Sequence, residues 1–122
     1  MNLTMKQKSN YDLEDRTAKF GESVIRFCRT LNKDAISLPL ISQLVRSATS
    51  VGANYMEANS ASSRKDFANK IFISKKEAEE TKHWLRMLSV SLPEEKEHLR
   101  LLWKEAQELT MIFQKIVNKL RN

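Results

Sequence analysis

Two Glu-x-x-His matches, Glu80 with His83 and Glu95 with His98, carry the spacing best suited to metal chemistry. Bundles that hold two iron or manganese ions use such a motif on each of two facing helices, with an inward carboxylate from each remaining helix. Rotation about the helix axis weighs against that reading. With successive residues about 100° apart, Glu80 and His83 fall away from the apolar line through Phe67 and Leu85. Glu22 and Glu57, the carboxylates the other helices would have to supply, lie on the backs of those helices, so a core site lacks its ligands. The single cysteine, Cys28, borders an apolar stripe with no histidine nearby in the sequence to act as its base. A nucleophilic thiol needs such a base and an electropositive pocket, so a packed core thiol is expected. There is no phosphate loop, Gly-x-Gly cluster or Ser/His/Asp pattern. The chain is expected not to be an enzyme and to need no cofactor, with a metal-binding bundle kept as the last alternative.

The elements that position these residues are read from apolar spacing. Leu13, Thr17, Phe20, Val24, Phe27 and Leu31 recur at steps of four and three and predict a helix over about 11–32. Ile41, Leu44, Ala48, Val51 and Tyr55 predict a second over about 38–59, with Ser37 or Leu38 as cap and Pro39 in the first turn. Ser63 followed by Asp66 resembles a capping box, and opens a third helix over about 63–90 whose stripe runs Phe67, Ile71, Ser74, Ala78, Thr81, Leu85 and Leu88. Pro93 and Glu94 restart the chain. Leu99, Leu102, Trp103, Ala106, Leu109, Phe113, Ile116, Val117 and Leu120 then predict a fourth helix over about 93–121, with Trp103 expected in the core. Residues 1–10 are expected to be a flexible N-terminal segment. Long helices with short connections predict an all-α, antiparallel up-down-up-down four-helix bundle in one domain. No apolar run reaches about 18 residues and no leader pattern is present, so a cytoplasmic protein with no membrane partner is expected.

The net charge of +6 would suit nucleic acid, although 15 acids are interleaved with 21 bases. Candidate contacts to RNA or DNA are Arg16, Lys19, Arg26, Arg29 and Lys33 on helix one, and Arg64 and Lys65 where helix three begins. Lys115, Lys119 and Arg121 join them in a C-terminal stretch free of acids. Arg16, Lys19, Arg26 and Lys33 lie opposite the apolar stripe of helix one and are expected on a solvated face. No aromatic alternates with these bases in the sequence, so sequence-tolerant, salt-sensitive binding is expected.

Helix two poses a different question. Between Ser37 and Ser63 the only charged side chains are Arg46 and Glu57, which stand about 16 Å apart along a helix and cannot pair with each other. The face carrying Arg46, Ser47, Ser50, Asn54 and Glu57 is small and mostly uncharged where solvent normally draws Lys and Glu. A buried second face is expected, with Lys70, Glu77 and Glu80 of helix three as charge partners from the same or a neighbouring chain. Trp84, offset from its stripe, joins these residues as a candidate subunit contact.

Ser42-Gln43-Leu44-Val45-Arg46-Ser47-Ala48, Ser50-Val51-Gly52-Ala53-Asn54 with Glu57, and Ser63-Arg64-Lys65-Asp66-Phe67 together resemble a known family. It is the set of bacterial four-helix bundle proteins whose founding members are encoded in intervening sequences of 23S ribosomal RNA genes. The similarity extends from Tyr11-Asp12-Leu13 to Trp84-Leu85. Gly52 and Ala58 stand where many members have Pro and Gly, which places the chain with the Gly-Ala-Asn-Tyr branch and predicts an unkinked helix two. The resemblance implies an up-down bundle that assembles as a ring, commonly a pentamer, with no established enzymatic activity. A related bundle, the accessory protein of diversity-generating retroelements, is a basic pentamer that binds nucleic acid and a reverse transcriptase. The expectation is therefore a homo-oligomeric scaffold, possible partners being RNA, DNA or another protein. The alternative is a protein-protein interaction module that binds no nucleic acid.

Overall fold

Each apolar stripe becomes one buried face. The computed structural model describes the backbone of residues 2–121 and the side chains of residues 12–121. Its helices are α1 (Asn2–Arg29), α2 (Ser37–Asn59), α3 (Arg64–Ser91) and α4 (Lys96–Arg121), with a single 3₁₀ turn at Pro93–Glu95 before α4. No strand occurs among the described residues. The short connections turn each helix back along its predecessor, giving an up-down four-helix bundle. Phe20, Val24 and Phe27 of α1 meet Leu44, Ala48 and Val51 of α2, Ile71, Ala78 and Leu85 of α3, and Leu99, Leu109 and Phe113 of α4 in one core.

The helix ends follow from their caps. α1 begins upstream of the expected boundary, and the expected flexible segment over 1–10 has helical backbone from Asn2; its side chains lie outside the described residues. The helix stops at Arg29, where Lys33 Nζ donates to the carbonyls of Cys28 (3.0 Å) and Leu31 (3.3 Å) and satisfies groups left open at a helix end. α2 is not capped by Ser37 or Leu38 as expected. The Asp34 carboxylate accepts from the N–H groups of Ile36 (2.9 Å) and Ser37 (2.8 Å), while Ser37 Oγ accepts from the Asp34 N–H (3.0 Å). These bonds, those with Ser37 foremost, hold the Asp34 carboxyl below the ordinary carboxylate range. α3 is capped as its sequence predicts, with Ser63 Oγ accepting from the Asp66 N–H at 3.0 Å.

α2 packs closely on both of its neighbours, and of the adjacent helix pairs α1 and α4 approach each other least. At the α1–α2 contact each helix contributes a glycine, and the closeness depends on Gly52. A methyl built at Gly52 would sit 3.2 Å from Thr17 Oγ1 and 3.4 Å from the Thr17 backbone carbon, whereas one built at Gly21 would meet Thr49 at an ordinary 3.5 Å. The two positions therefore respond differently to the same change. Gly21→Ala should stabilise the fold by about 0.5–1 kcal/mol through helix propensity. Gly52→Ala should fall short of that gain by about 0.5–1 kcal/mol or more, because Thr17 must shift by a few tenths of an ångström to admit the methyl. Urea denaturation of both variants checks this, and equal shifts of the two midpoints would refute the close-approach account.

Candidate nucleic-acid interface

The antiparallel topology brings the start of α3 and the end of α4 to the same end of the bundle. Arg64 Nη2 donates to the Leu120 carbonyl at 3.2 Å, tying the two termini together. Lys65, Lys115, Lys119 and Arg121 are exposed around this contact. Between α4 and α1, Lys115 and Lys119 share a groove of about 490 Å³ with Asp12, Arg16 and Tyr55. Phe72, 40% exposed, lies between two cations, with Lys75 Nζ 5.5 Å and the Arg121 guanidinium 5.7 Å from its ring centre.

The bases of α1 are placed otherwise than expected. Arg16 does not lie on a solvated back face. It donates to both carboxylate oxygens of Glu105 at 2.8 Å and to Glu108 at 3.2 Å, half-buried on the α4 side. The Glu105 bonds raise its already high pKa further. Lys19 pairs with Asp15 (2.9 Å), Arg26 lies 3.9 Å from Glu22, and Lys33 closes the α1 terminus. Arg29 is exposed, at the end of the bundle opposite Arg64 and Arg121. Of the expected basic set, Lys65, Lys115, Lys119 and Arg121 at the α3–α4 end are exposed and have no ion pair among the described residues.

The charges of α2 find their partners within the chain. Arg46 donates to Glu77 (3.1 Å) and pairs with Glu80, and Lys70 pairs with Glu57 at 2.7 Å. Ser47 is fully buried between α2 and α3, where its Oγ accepts from Thr81 Oγ1 at 2.9 Å. It is a core residue and not a free subunit contact. Ser50 and Asn54 bond back to carbonyls of their own helix, at Arg46 (2.7 Å) and Ser50 (2.8 Å), so they need no outside partner. Trp84 is half-buried against the core and donates through Nε1 to Glu80 at 3.2 Å. Its expected companion in the core behaves in the reverse way. Trp103 is 41% exposed, because Leu99, Leu102 and Ala106 fill the inward arc of α4 and turn the indole to the α3–α4 edge.

The metal and thiol candidates also resolve into packing. Glu80 is engaged by Arg46 and Trp84, and His83 lies exposed beside Trp84. The His98 ring sits 4.3 Å from Phe27. The two Glu-x-x-His motifs are thus not brought to a common point. Cys28 is 5% exposed, and burial pushes its thiol up to about 11, against a smaller opposing effect of Lys33.

A family model described as 23S rRNA-intervening sequence protein matches residues 9–120. The chain belongs to this family. A crystal structure of a protein of unknown function from the S23 ribosomal protein family of Bacteroides thetaiotaomicron superposes on this 23S rRNA-intervening sequence protein with a TM-score of 0.81. The two are 29% identical, and the match covers 89% of this chain and 97% of that one. No curated protein matches the chain. Membership fixes the fold and leaves function open, since the family is one of unknown function. No described helix of this family member is long and apolar enough to cross a membrane.

Phe72, Lys75 and Trp103 were not among the residues that sequence reasoning selects. An aromatic flanked by bases was sought along the chain, whereas Arg121 reaches Phe72 from another helix. The only local signal was Lys75, three residues after Phe72 on the same helical face.

The raised thiol pKa makes the thiolate scarcer in the folded protein than in the unfolded one. At pH 8 the thiolate fraction, and with it the rate of reaction with a thiol reagent, should be on the order of a hundredfold lower than in denaturant. A colorimetric thiol assay checks this, and equal rates in both states would contradict the buried placement.

Proposed function

We propose that this chain is a noncatalytic homo-oligomeric bundle, a pentamer, that binds RNA or DNA as a scaffold. The observation that carries the reading is the convergence of Arg64, Lys65, Lys119 and Arg121 from two helix ends on one end of the bundle. No acid follows Glu108 in the chain, so the cations of terminal α4 have no acidic neighbour on their own helix turn. Concentrated positive charge gains affinity for phosphate by releasing counterions, and nothing about it requires a particular base. A noncatalytic role agrees with the engagement of Glu80 by Arg46 and Trp84 and with the burial of Cys28.

Assembly has a different basis from that expected. The polar α2–α3 seam is satisfied inside the chain, so a neighbour is not needed there. Support comes instead from the α1–α2 side, where Ile25 and Met56 border a groove of about 310 Å³ and are 39% and 53% exposed. Burying exposed apolar surface of this kind favours association. The ring and its number of subunits rest on family resemblance. A second reading, a module for another polypeptide, draws on the same apolar residues with Ile36 and Leu38, 68% and 52% exposed. Capture of a partner that survives nuclease treatment favours it.

Titration of labelled RNA and DNA at several salt concentrations tests the main reading. Binding should weaken steeply with salt, and replacing Arg64, Lys65 and Arg121 together by Gln should lower the slope of log K against log salt by about one per residue. Absence of binding at low salt removes the nucleic-acid reading. Light scattering tests assembly separately: a mass near five chains is expected, and a monomer at micromolar concentration overturns it.

A further inference from the structure

We propose that the outer face of α3 and α4 is a track for a single strand of nucleic acid, with Phe72 and Trp103 as two stacking platforms. The inference rests on the nucleic-acid reading above and narrows it to one chemical class. Taking about 100° per residue, Lys65, Phe72, Lys76, His83 and Val90 lie within about 40° of one line along α3. Lys75, Lys82 and Arg86 flank that line on the side facing α4. On α4, Lys96, Trp103, Gln107, Gln114 and Arg121 share a second line within about 40°.

Contacts between the helices show that the two lines border a common groove. Lys82 Nζ donates to Gln107 Oε1 at 2.5 Å and lies 5.5 Å from the centre of the Trp103 ring, and Arg121 lies over Phe72. Bases therefore run the length of the face, from Lys65 and Arg121 at one end to Arg86, Lys96 and Arg100 at the other. The acids beside them are few: Glu79 lies on the α3 line, and Glu97 is paired with Arg100 at 3.1 Å.

At Trp103 the face deepens into a hollow of about 210 Å³ with Leu85 and Leu99 beneath, and Arg86, Lys96 and Arg100 around it. No carboxylate lines this hollow. It is smaller than the roughly 300–1,000 Å³ of drug-sized ligand sites, a size suited to one flat base. Exposed aromatics bordered by cations are the elements by which single strands are held without sequence preference, with bases on the rings and phosphates on the bases between. A duplex keeps its base faces covered by stacking and cannot use such rings. Trp103 and Arg121 are about 27 Å apart along α4 at about 1.5 Å per residue. About eight nucleotides at roughly 3.4 Å each would span that distance, within the range of about 4–16 that single-strand sites cover.

The test uses the full chain carrying Trp84→Phe, so that Trp103 is the only tryptophan, with helical circular dichroism confirming the fold. The probes are a twelve-nucleotide oligouridylate, its duplex with oligoadenylate, and uridine monophosphate. The single strand should bind and quench Trp103 emission, and the duplex should leave that emission unchanged. Titrated against the same oligouridylate carrying a terminal fluorophore and read by anisotropy, Phe72→Leu and Trp103→Leu should each weaken single-strand binding about fivefold or more, while the salt slope stays the same because phosphate contacts persist. Equal quenching by the duplex, or unchanged single-strand affinity in both variants, overturns the proposal. Quenching by the mononucleotide at the concentration effective for the oligomer also overturns it, in favour of a free-nucleotide pocket. If binding persists with its salt slope but ignores both aromatics, only the track falls; if neither nucleic acid binds at low salt, the broader reading falls with it.

Discussion

The close approach of α2 to both of its neighbours is the constraint on which the rest of the bundle depends. Small side chains make it possible: Gly52 lies against Thr17 of α1, and Ser47 lies against Thr81 of α3. Hydrogen bonds then fix the register. Ser74 Oγ donates to the Val51 carbonyl at 3.1 Å, so α3 cannot slide along α2 without leaving this buried hydroxyl unpaired, while Thr81 Oγ1 lies 2.9 Å from Ser47 Oγ and 2.7 Å from the Glu77 carbonyl of its own helix. An unpaired buried donor costs about 1–3 kcal/mol, more than a shifted apolar contact would. The polar seam thus supplies specificity of alignment, while Leu44, Val51, Ile71 and Leu85 on either side supply the burial.

The ion pairs at the edges of that seam are consequences of it. Arg46 reaches Glu77 and Glu80, and Lys70 reaches Glu57, because the two backbones are close enough for side chains on the flanks to meet. These pairs are largely exposed, and exposed pairs contribute little, about 0–1 kcal/mol each. Their effect is to neutralise five acids and bases against one another within the chain. The same applies to Arg16 on the opposite side, held by Glu105 and Glu108 across the more open α1–α4 boundary. Formal charge therefore overstates what α1 and α2 present to a partner.

Periodicity made the buried stripes of all four helices legible, because steps of three and four are sufficient to define an inward arc. It could not decide what lies against a second, uncharged face. Ser50, Asn54 and Thr49 satisfy themselves on carbonyls of their own helix, so their sequence looks the same whether the face meets α3, another chain or water. Trp103 shows the complementary difficulty. An apolar residue at the margin of a wide stripe falls in or out of the core according to how neighbouring helices are rotated, and α4 turns it out. The candidate site was half legible: the basic ends were visible as composition, whereas Phe72 under Arg121 and Trp103 under Lys82 depend on contacts between helices distant in sequence.

Charge distribution, rather than charge total, is what connects this packing to function. Ion pairs match Asp15 and Glu22 on α1, Glu57 on α2 and Glu77 and Glu80 on α3 with bases, while the outer side of α3 and α4 carries mainly bases. α3, which carries half of that side, is held in register against α2 by the Ser74 bond, so its cations stand at set intervals along a packed helix, even though each side chain is free to move. A flexible strand binding such a surface orders itself against a fixed array, and the ordering cost falls on one partner alone. The same side chains on a loop would need to be ordered as well. A surface of this kind favours contacts repeated along a strand over deep recognition of a single group, consistent with shallow grooves and with aromatics that lie level with their cations.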